Sequence, residues 1–163
     1  MTKLAFVLVL VLGTAAALPR QQDLGLPLGM KAPGAVLQTL DGKDVDLASY
    51  IGKGPVVIEF WATWCENCKE LEPALLKAVK QYEGKVTFIG VAVSVQQSPE
   101  RVKNYVAKHG ISHMILYDTH GKATGAYDVP ATSYVVVINK KGLISYTGVG
   151  GDQNLEGAIK KGM

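Results

Sequence analysis

Cysteine and histidine are scarce in this chain, and their scarcity limits metal chemistry. Of the 163 residues, two are cysteine and three are histidine. A structural zinc site needs about four ligands, often supplied by two Cys-x-x-Cys pairs or by cysteine and histidine pairs. The sequence holds a single Cys-x-x-Cys and no paired histidine cluster. We therefore expect no metal ion and no other cofactor.

A strong excess of one charge is also missing. The net charge is +3, the lysines are scattered, and neither a basic stripe nor a nucleic-acid-binding motif occurs. Internal repeats and low-complexity tracts are absent, and 48% of the residues are apolar. These features exclude nucleic acid as an expected partner and predict a compact monomer with one main domain.

Long apolar runs are absent beyond the N-terminus. The run Leu4–Leu12 follows the positively charged Lys3 and precedes Ala15-Ala16-Ala17. This pattern predicts a signal peptide over residues 1–17, because the run is too short to span a bilayer comfortably. An uncleaved membrane anchor is the alternative. We expect an exported protein, periplasmic or extracellular, in a compartment where disulfides persist.

The rest of the chain predicts an α/β fold. Residues 18–34 are rich in Gly, Pro and Leu and are expected to form a surface leader, with the domain over 35–163. A mixed sheet with helices on both faces and an N-terminal β-hairpin is predicted from periodicity and turn residues. The predicted strands are 36–40, 45–47, 56–61, 86–93, 114–117, 133–138 and 143–147, and the predicted helices are 66–82, 99–108, 123–127 and 154–161.

The two cysteines form one motif, in the run Trp61-Ala62-Thr63-Trp64-Cys65-Glu66-Asn67-Cys68. A predicted strand precedes the motif and a predicted helix follows it. Cys65 would then lie at a helix N-terminus, where unpaired N–H groups and the helix dipole stabilise a thiolate. Cys68 would lie one turn later, close enough to attack a mixed disulfide. A purely structural disulfide would close a loop of only two residues and constrain little of the unfolded chain. The motif therefore predicts thiol–disulfide exchange through a redox-active disulfide.

Several further segments resemble one protein family. They are Met30-Lys31-Ala32-Pro33, Leu40-Asp41-Gly42-Lys43, Gly52-Lys53, Phe60 to Cys65, Tyr127-Asp128-Val129-Pro130 and Lys141-Gly142. In this order they resemble the thioredoxin-like superfamily and, within it, the exported TlpA/ResA-type thiol–disulfide oxidoreductases. The resemblance covers nearly all of the chain after the predicted signal peptide.

This resemblance implies roles for individual residues. Cys65 is expected to be the attacking thiolate and Cys68 the buried resolving thiol. Pro130 corresponds to the cis-proline that faces the cysteine pair in this superfamily, so a cis Val129–Pro130 bond is expected. Trp64 is expected to shield the sulfurs and, with Val129 and Pro130, to form the surface that meets substrate.

Glu59 is the one acid in an otherwise apolar strand, six residues before Cys65. The superfamily often carries an acid here, beneath the second cysteine. Burial would raise the pKa of Glu59 and allow it to take the proton of Cys68. The alternative is a strand end that leaves the carboxylate in water.

The preferred interpretation is an exported enzyme that reduces protein disulfides. Its expected partners are client proteins with disulfides or thiols, and a membrane-bound thiol protein that supplies electrons. A peroxiredoxin-type peroxidase is the first alternative, but that chemistry needs Thr or Ser three residues before the cysteine, and Ala62 occupies this position. A metal-binding chaperone of the same fold is the second. It would need one more residue between the cysteines and a distant histidine, and His109, His113 and His120 are the candidates.

Overall fold

The computed structural model describes residues 25–163. The predicted signal peptide lies outside the described residues, as does the start of the predicted leader, and the proposed domain boundaries stay predictions. In the described part, the strands are β1 (Val36–Thr39), β2 (Asp44–Asp46), β3 (Val56–Trp61), β4 (Thr87–Val93), β5 (Met114–Asp118), β6 (Tyr134–Ile138) and β7 (Ile144–Val149). The helices are α1 (Glu66–Gln81), α2 (Pro99–His109), α3 (Lys122–Ala126) and α4 (Leu155–Gly162).

All seven strands form one mixed sheet in the order β2-β1-β5-β4-β3-β6-β7. The three strands β5, β4 and β3 are parallel, and the pairs β1–β2, β1–β5, β3–β6 and β6–β7 are antiparallel. The predicted mixed sheet and its N-terminal hairpin are confirmed. The hairpin turns through residues 40–43, where Gly42 adopts a left-handed φ of 83° and donates to Thr39 O at 2.9 Å.

The central strand β3 is buried along its whole length. Because side chains alternate across a strand, its residues are divided between two faces of the sheet. Ile58 and Phe60 join a core cluster that includes residues of α3, while Val57 packs with residues of α1 and α4. Helices therefore cover both faces, and the odd-numbered positions of β3 face α1.

Local sequence explains where α1 and α2 begin. Cys65 is the N-cap of α1, and Ser98 caps α2 by accepting a hydrogen bond from Arg101 N, with Pro99 at the first helical position. Helix α1 continues through Pro73.

Between residues 25 and 163, no helix is both long and apolar enough to cross a membrane.

Candidate active site

The cysteine pair lies where β3 passes into α1. Cys65 has an extended backbone, with φ −81° and ψ 113°, and its Sγ accepts a hydrogen bond from Cys68 N at 3.1 Å. The two residues form a disulfide with a Cα–Cα distance of 5.3 Å. Both are more than nine-tenths buried. The sulfur of Cys65 is thus held against the first N–H groups of α1, where a thiolate gains stabilisation.

The loop after β4 supports the cysteine loop from one side. Gln97 accepts from Thr63 N at 2.9 Å and donates to Val93 O at 2.6 Å, so its amide ties the two loops together. Trp64 donates through Nε1 to Val95 O at 2.8 Å. Sequence analysis missed Gln97, although the carboxyl ends of the parallel strands β3 and β4 must meet at one edge of the sheet.

Glu59 lies in the middle of β3 and is 7% exposed, so the alternative of a carboxylate in water is excluded. Its Oε1 has no hydrogen-bond partner among the described residues. Burial, together with the charge of Glu72, raises the pKa of Glu59 to about 8. This acid can therefore both hold and release a proton near neutral pH.

A cavity of about 10 Å³ adjoins Glu59 and residues of α1 and α2. It is lined by Glu59, Trp61, Cys68, Glu72, Leu75, Leu76, Tyr105, Ile111, His113 and Ile115. Such a volume is about what one water molecule needs. Glu59 pairs with Gly90 of β4, and a Cβ there would lie 2.6 Å from Ile115 Cδ1 and 3.0 Å from Trp61 Nε1. Because Gly90 has no side chain, Ile115 and Trp61 can pack closely over this position.

A second acid, Glu72, lies on α1 one turn after Cys68 and lines the same cavity. Its Oε2 accepts from the Tyr105 hydroxyl at 3.0 Å, and its Oε1 lies 2.8 Å from His109 Nδ1. Sequence analysis missed Glu72. The available signal was its spacing of four residues from Cys68, which places both on one face of a helix.

The structure corrects the prediction for Pro130. No peptide bond between residues 25 and 163 is cis, so the Val129–Pro130 bond is trans and the predicted cis bond is wrong. The trans form is the lower in energy for most X–Pro bonds, and left-handed Asp128 (φ 46°) and Ser133 (φ 62°) redirect the chain on either side. Since β6 runs antiparallel to β3, the loop still lies at the edge of the sheet that carries the cysteines.

The three histidines do not form a common site. His109 pairs with Glu72, His113 lines the cavity, and His120 is exposed in a turn. Burial lowers the pKa of His113 to about 4. Within the described part of the chain, no group of three or more His, Cys, Asp or Glu side chains is placed to hold a metal ion.

Comparison with known proteins agrees with this geometry. The family profile described as Redoxin matches residues 27–160. Thiol-disulfide oxidoreductase ResA of Bacillus subtilis (strain 168) is 34% identical over 116 residues, which are 71% of this chain and 64% of that protein. ResA of Bacillus thuringiensis (strain Al Hakam) is 30% identical over 138 residues, 83% of this chain and 79% of that protein.

A solved structure extends the similarity to the fold. The thiol:disulfide interchange protein of Chlorobium tepidum TLS is 26% identical, and the match covers 82% of this chain and 96% of that one with a TM-score of 0.70. The fold and the Cys-x-x-Cys at the start of α1 define a thioredoxin-like dithiol–disulfide protein. The chain belongs to the Redoxin family and, as its sequence predicted, to the ResA/TlpA type of thiol–disulfide oxidoreductase within it.

Proposed function

We propose that the protein is an exported enzyme that reduces disulfides of client proteins through the Cys65–Cys68 dithiol. The observation that carries this proposal is the position of the pair. Cys65 caps α1, and Cys68, which lies one turn further along, lines the cavity that also contains Glu59. An attacking sulfur and a resolving sulfur with a nearby base are the groups that thiol–disulfide exchange requires.

The reaction has two exchange steps. The Cys65 thiolate attacks a client disulfide, and one client sulfur leaves as a thiolate while a mixed disulfide forms. Cys68 then gives its proton to the Glu59 carboxylate, and the resulting thiolate attacks Cys65 Sγ. The second client thiolate leaves and the Cys65–Cys68 disulfide remains. Two electrons have passed from the enzyme to the client, and the client thiolates take protons from solvent.

Glu59 suits the role of base because its proton affinity is close to that of a thiol. Burial raises the pKa of Glu59 to about 8, and an ordinary cysteine has a pKa of about 8.5. The raised pKa of Glu59 therefore lowers the cost of moving a proton from a thiol to this carboxylate, compared with a carboxyl group of ordinary pKa.

The client would meet an apolar surface around Cys65. Trp64 is 37% exposed and Val95 is 58% exposed, and the indole of Trp64 is fixed to the backbone of Val95. Half-buried Val129 and exposed Pro130 lie at the same edge of the sheet. These side chains support a role for Trp64, Val129 and Pro130 in contacting an extended client segment beside its disulfide.

Export and the electron supply belong to the same proposal. The charged Lys3, the apolar run after it and the alanines at 15–17 support secretion to the periplasm or the exterior. In an oxidising compartment the Cys65–Cys68 disulfide does not become reduced unaided, so a thiol protein held at the membrane is the expected donor.

The proposal is tested by a single turnover of the reduced enzyme. The protein is treated with dithiothreitol, freed of it, and mixed with an excess of insulin, and new client thiols are counted against time. The parent should release two client thiols per enzyme. Cys68→Ser should stop at the mixed disulfide, and Cys65→Ser should release none. Equal thiol release by the parent and Cys65→Ser would contradict the proposal.

A further inference from the structure

In the proposed function Glu59 accepts and releases a proton, and the groups around Glu59 determine its pKa. From α1 it is faced by Cys68 and Glu72, from α2 by Tyr105, and from the segment before β5 by His113. His109 contacts Glu72 at 2.8 Å and does not itself line the cavity.

Two of the neighbours are neutral near pH 7. Burial lowers the pKa of His113 to about 4, so its imidazole carries no proton charge. Burial and the hydrogen bond to Glu72 raise the pKa of Tyr105 above its usual value, so its hydroxyl keeps its proton. Glu72 is therefore the acid whose charge faces Glu59 across the cavity.

Glu72 is also held in place. Its carboxylate is bound at one oxygen by the Tyr105 hydroxyl and at the other by His109 Nδ1. The ring of His109 stacks on that of Tyr105 with centroids 3.8 Å apart, and Tyr105 packs against Trp61 at 5.5 Å. The side chain of Glu72 is 21% exposed and that of His109 is 28% exposed. These contacts prevent the carboxylate from turning out into water, where its charge would be screened.

We propose that Glu72, anchored by Tyr105 and His109, is a positioning residue of the redox site: its fixed negative charge keeps Glu59 basic enough to take the proton of Cys68. The inference rests on the proposed function of Glu59. Burial is the larger cause of the raised pKa of Glu59, and repulsion between the two carboxylates that line one small cavity adds to it.

The first measurement uses the oxidised protein and needs no client. The ionisation of Glu59 is followed by its carboxyl carbon in NMR spectra, with Glu59→Gln used to assign the signal. Glu72→Gln should lower the midpoint of the Glu59 titration by about one pH unit, since an opposed charge is removed. Tyr105→Phe should lower it by less, because Glu72 keeps its charge but loses one anchor.

Glu70→Gln is the matched control. It removes the same charge from α1 two residues earlier, at an exposed position that does not line the cavity. The control should leave the Glu59 midpoint within about 0.2 pH units of the parent, since exposed charges are screened. A midpoint that is the same in the parent and in Glu72→Gln would overturn the inference, and so would an equal shift in Glu70→Gln.

The second measurement connects the titration to the reaction. The decay of the mixed disulfide is timed by stopped flow between pH 6 and 9. In Glu72→Gln, the midpoint of the pH dependence of this rate should fall by the same amount as the midpoint of the Glu59 titration. If the Glu59 titration shifts in Glu72→Gln but the pH–rate profile does not, a role of Glu72 in the reaction is refuted. Loss of reductase activity in the parent would refute the proposed function alone, because the first measurement is independent of it.

Discussion

The shifted pKa values of two buried residues, Glu59 and His113, predict an unusual dependence of stability on pH. The pKa of Glu59 is raised from 4.5 to about 8 in the folded protein, and the pKa of His113 is lowered from 6.5 to about 4. Each pH unit over which the folded and unfolded states differ by one proton changes the free energy of unfolding by about 1.4 kcal/mol. The two residues act in opposite directions.

For Glu59 the folded state binds the extra proton. Its contribution is complete below pH 4.5, and it is lost as the pH rises from 4.5 to about 8. For His113 the unfolded state binds the extra proton. Its contribution is complete above pH 6.5, and it is lost as the pH falls from 6.5 to about 4.

Between pH 4.5 and 6.5 the two effects therefore oppose each other and nearly cancel. Between pH 6.5 and 8 only Glu59 acts, and the protein should lose about 2 kcal/mol of stability. Glu59→Gln should show no such loss above pH 6.5, and should instead gain about 3 kcal/mol between pH 4.5 and 6.5, where His113 acts alone. His113→Asn should lose stability over the whole interval.

The assay is urea unfolding of the oxidised protein, followed by circular dichroism at pH 5, 6.5 and 8. The disulfide is kept intact so that no thiol titrates. Groups distant from Glu59 contribute equally to parent and variant, so the difference between the two curves reports Glu59 together with the groups coupled to it, such as Glu72. If Glu59→Gln lost as much stability as the parent between pH 6.5 and 8, Glu59 would ionise normally in the folded state and the argument would fail.

Three further predictions concern the surroundings of the site. In the reduced protein, Cys65 should be alkylated by iodoacetamide at least about 10-fold faster than Cys68, because Cys65 caps a helix and Cys68 faces the interior; equal rates would contradict the assignment. Gln97→Ala should destabilise the protein by about 2 kcal/mol in thermal unfolding, since its amide bridges two loops through hydrogen bonds that water cannot easily replace; an unchanged Tm would show that the bridge is dispensable. Pro130→Ala should slow insulin reduction without changing the alkylation rate of Cys65, because it removes exposed apolar surface and leaves the cysteine loop intact; full activity would make Pro130 an ordinary loop residue.

Much of the fold follows from local patterns in the sequence. Strand β3 is apolar except for Glu59, α2 carries Ser98 as cap and Pro99 at its first position, and both elements occur where predicted. The burial of Glu59 was also predictable, because a single acid inside an apolar strand cannot easily reach solvent. Such signals are carried by neighbouring residues, so one sequence is enough to detect them.

The contacts of Glu72, by contrast, could not be predicted from local patterns in the sequence. Tyr105 and His109 come 33 and 37 residues later in the chain. No periodicity connects an acid on α1 with a tyrosine and a histidine on α2, because their proximity depends on how the two helices pack on the sheet. The conformation at Pro130 was likewise expected from resemblance rather than from any local pattern, and that expectation was wrong.

The surroundings of Glu59 also depend on a pairing between two strands. Glu59 faces α1 from β3, and its partner on β4 is Gly90, where a Cβ would meet Ile115 Cδ1 at 2.6 Å and Trp61 Nε1 at 3.0 Å. The apolar side chains on this face form two separate clusters, one around Leu71 and Val135 and the other around Trp61 and Val102. On β3, Glu59 lies between Val57 of the first cluster and Trp61 of the second. A proton-accepting group can thus occur in the middle of a buried strand, because burial between the two clusters raises the pKa of Glu59. The absence of a side chain at Gly90 lets Ile115 and Trp61 close over the neighbouring position on β4.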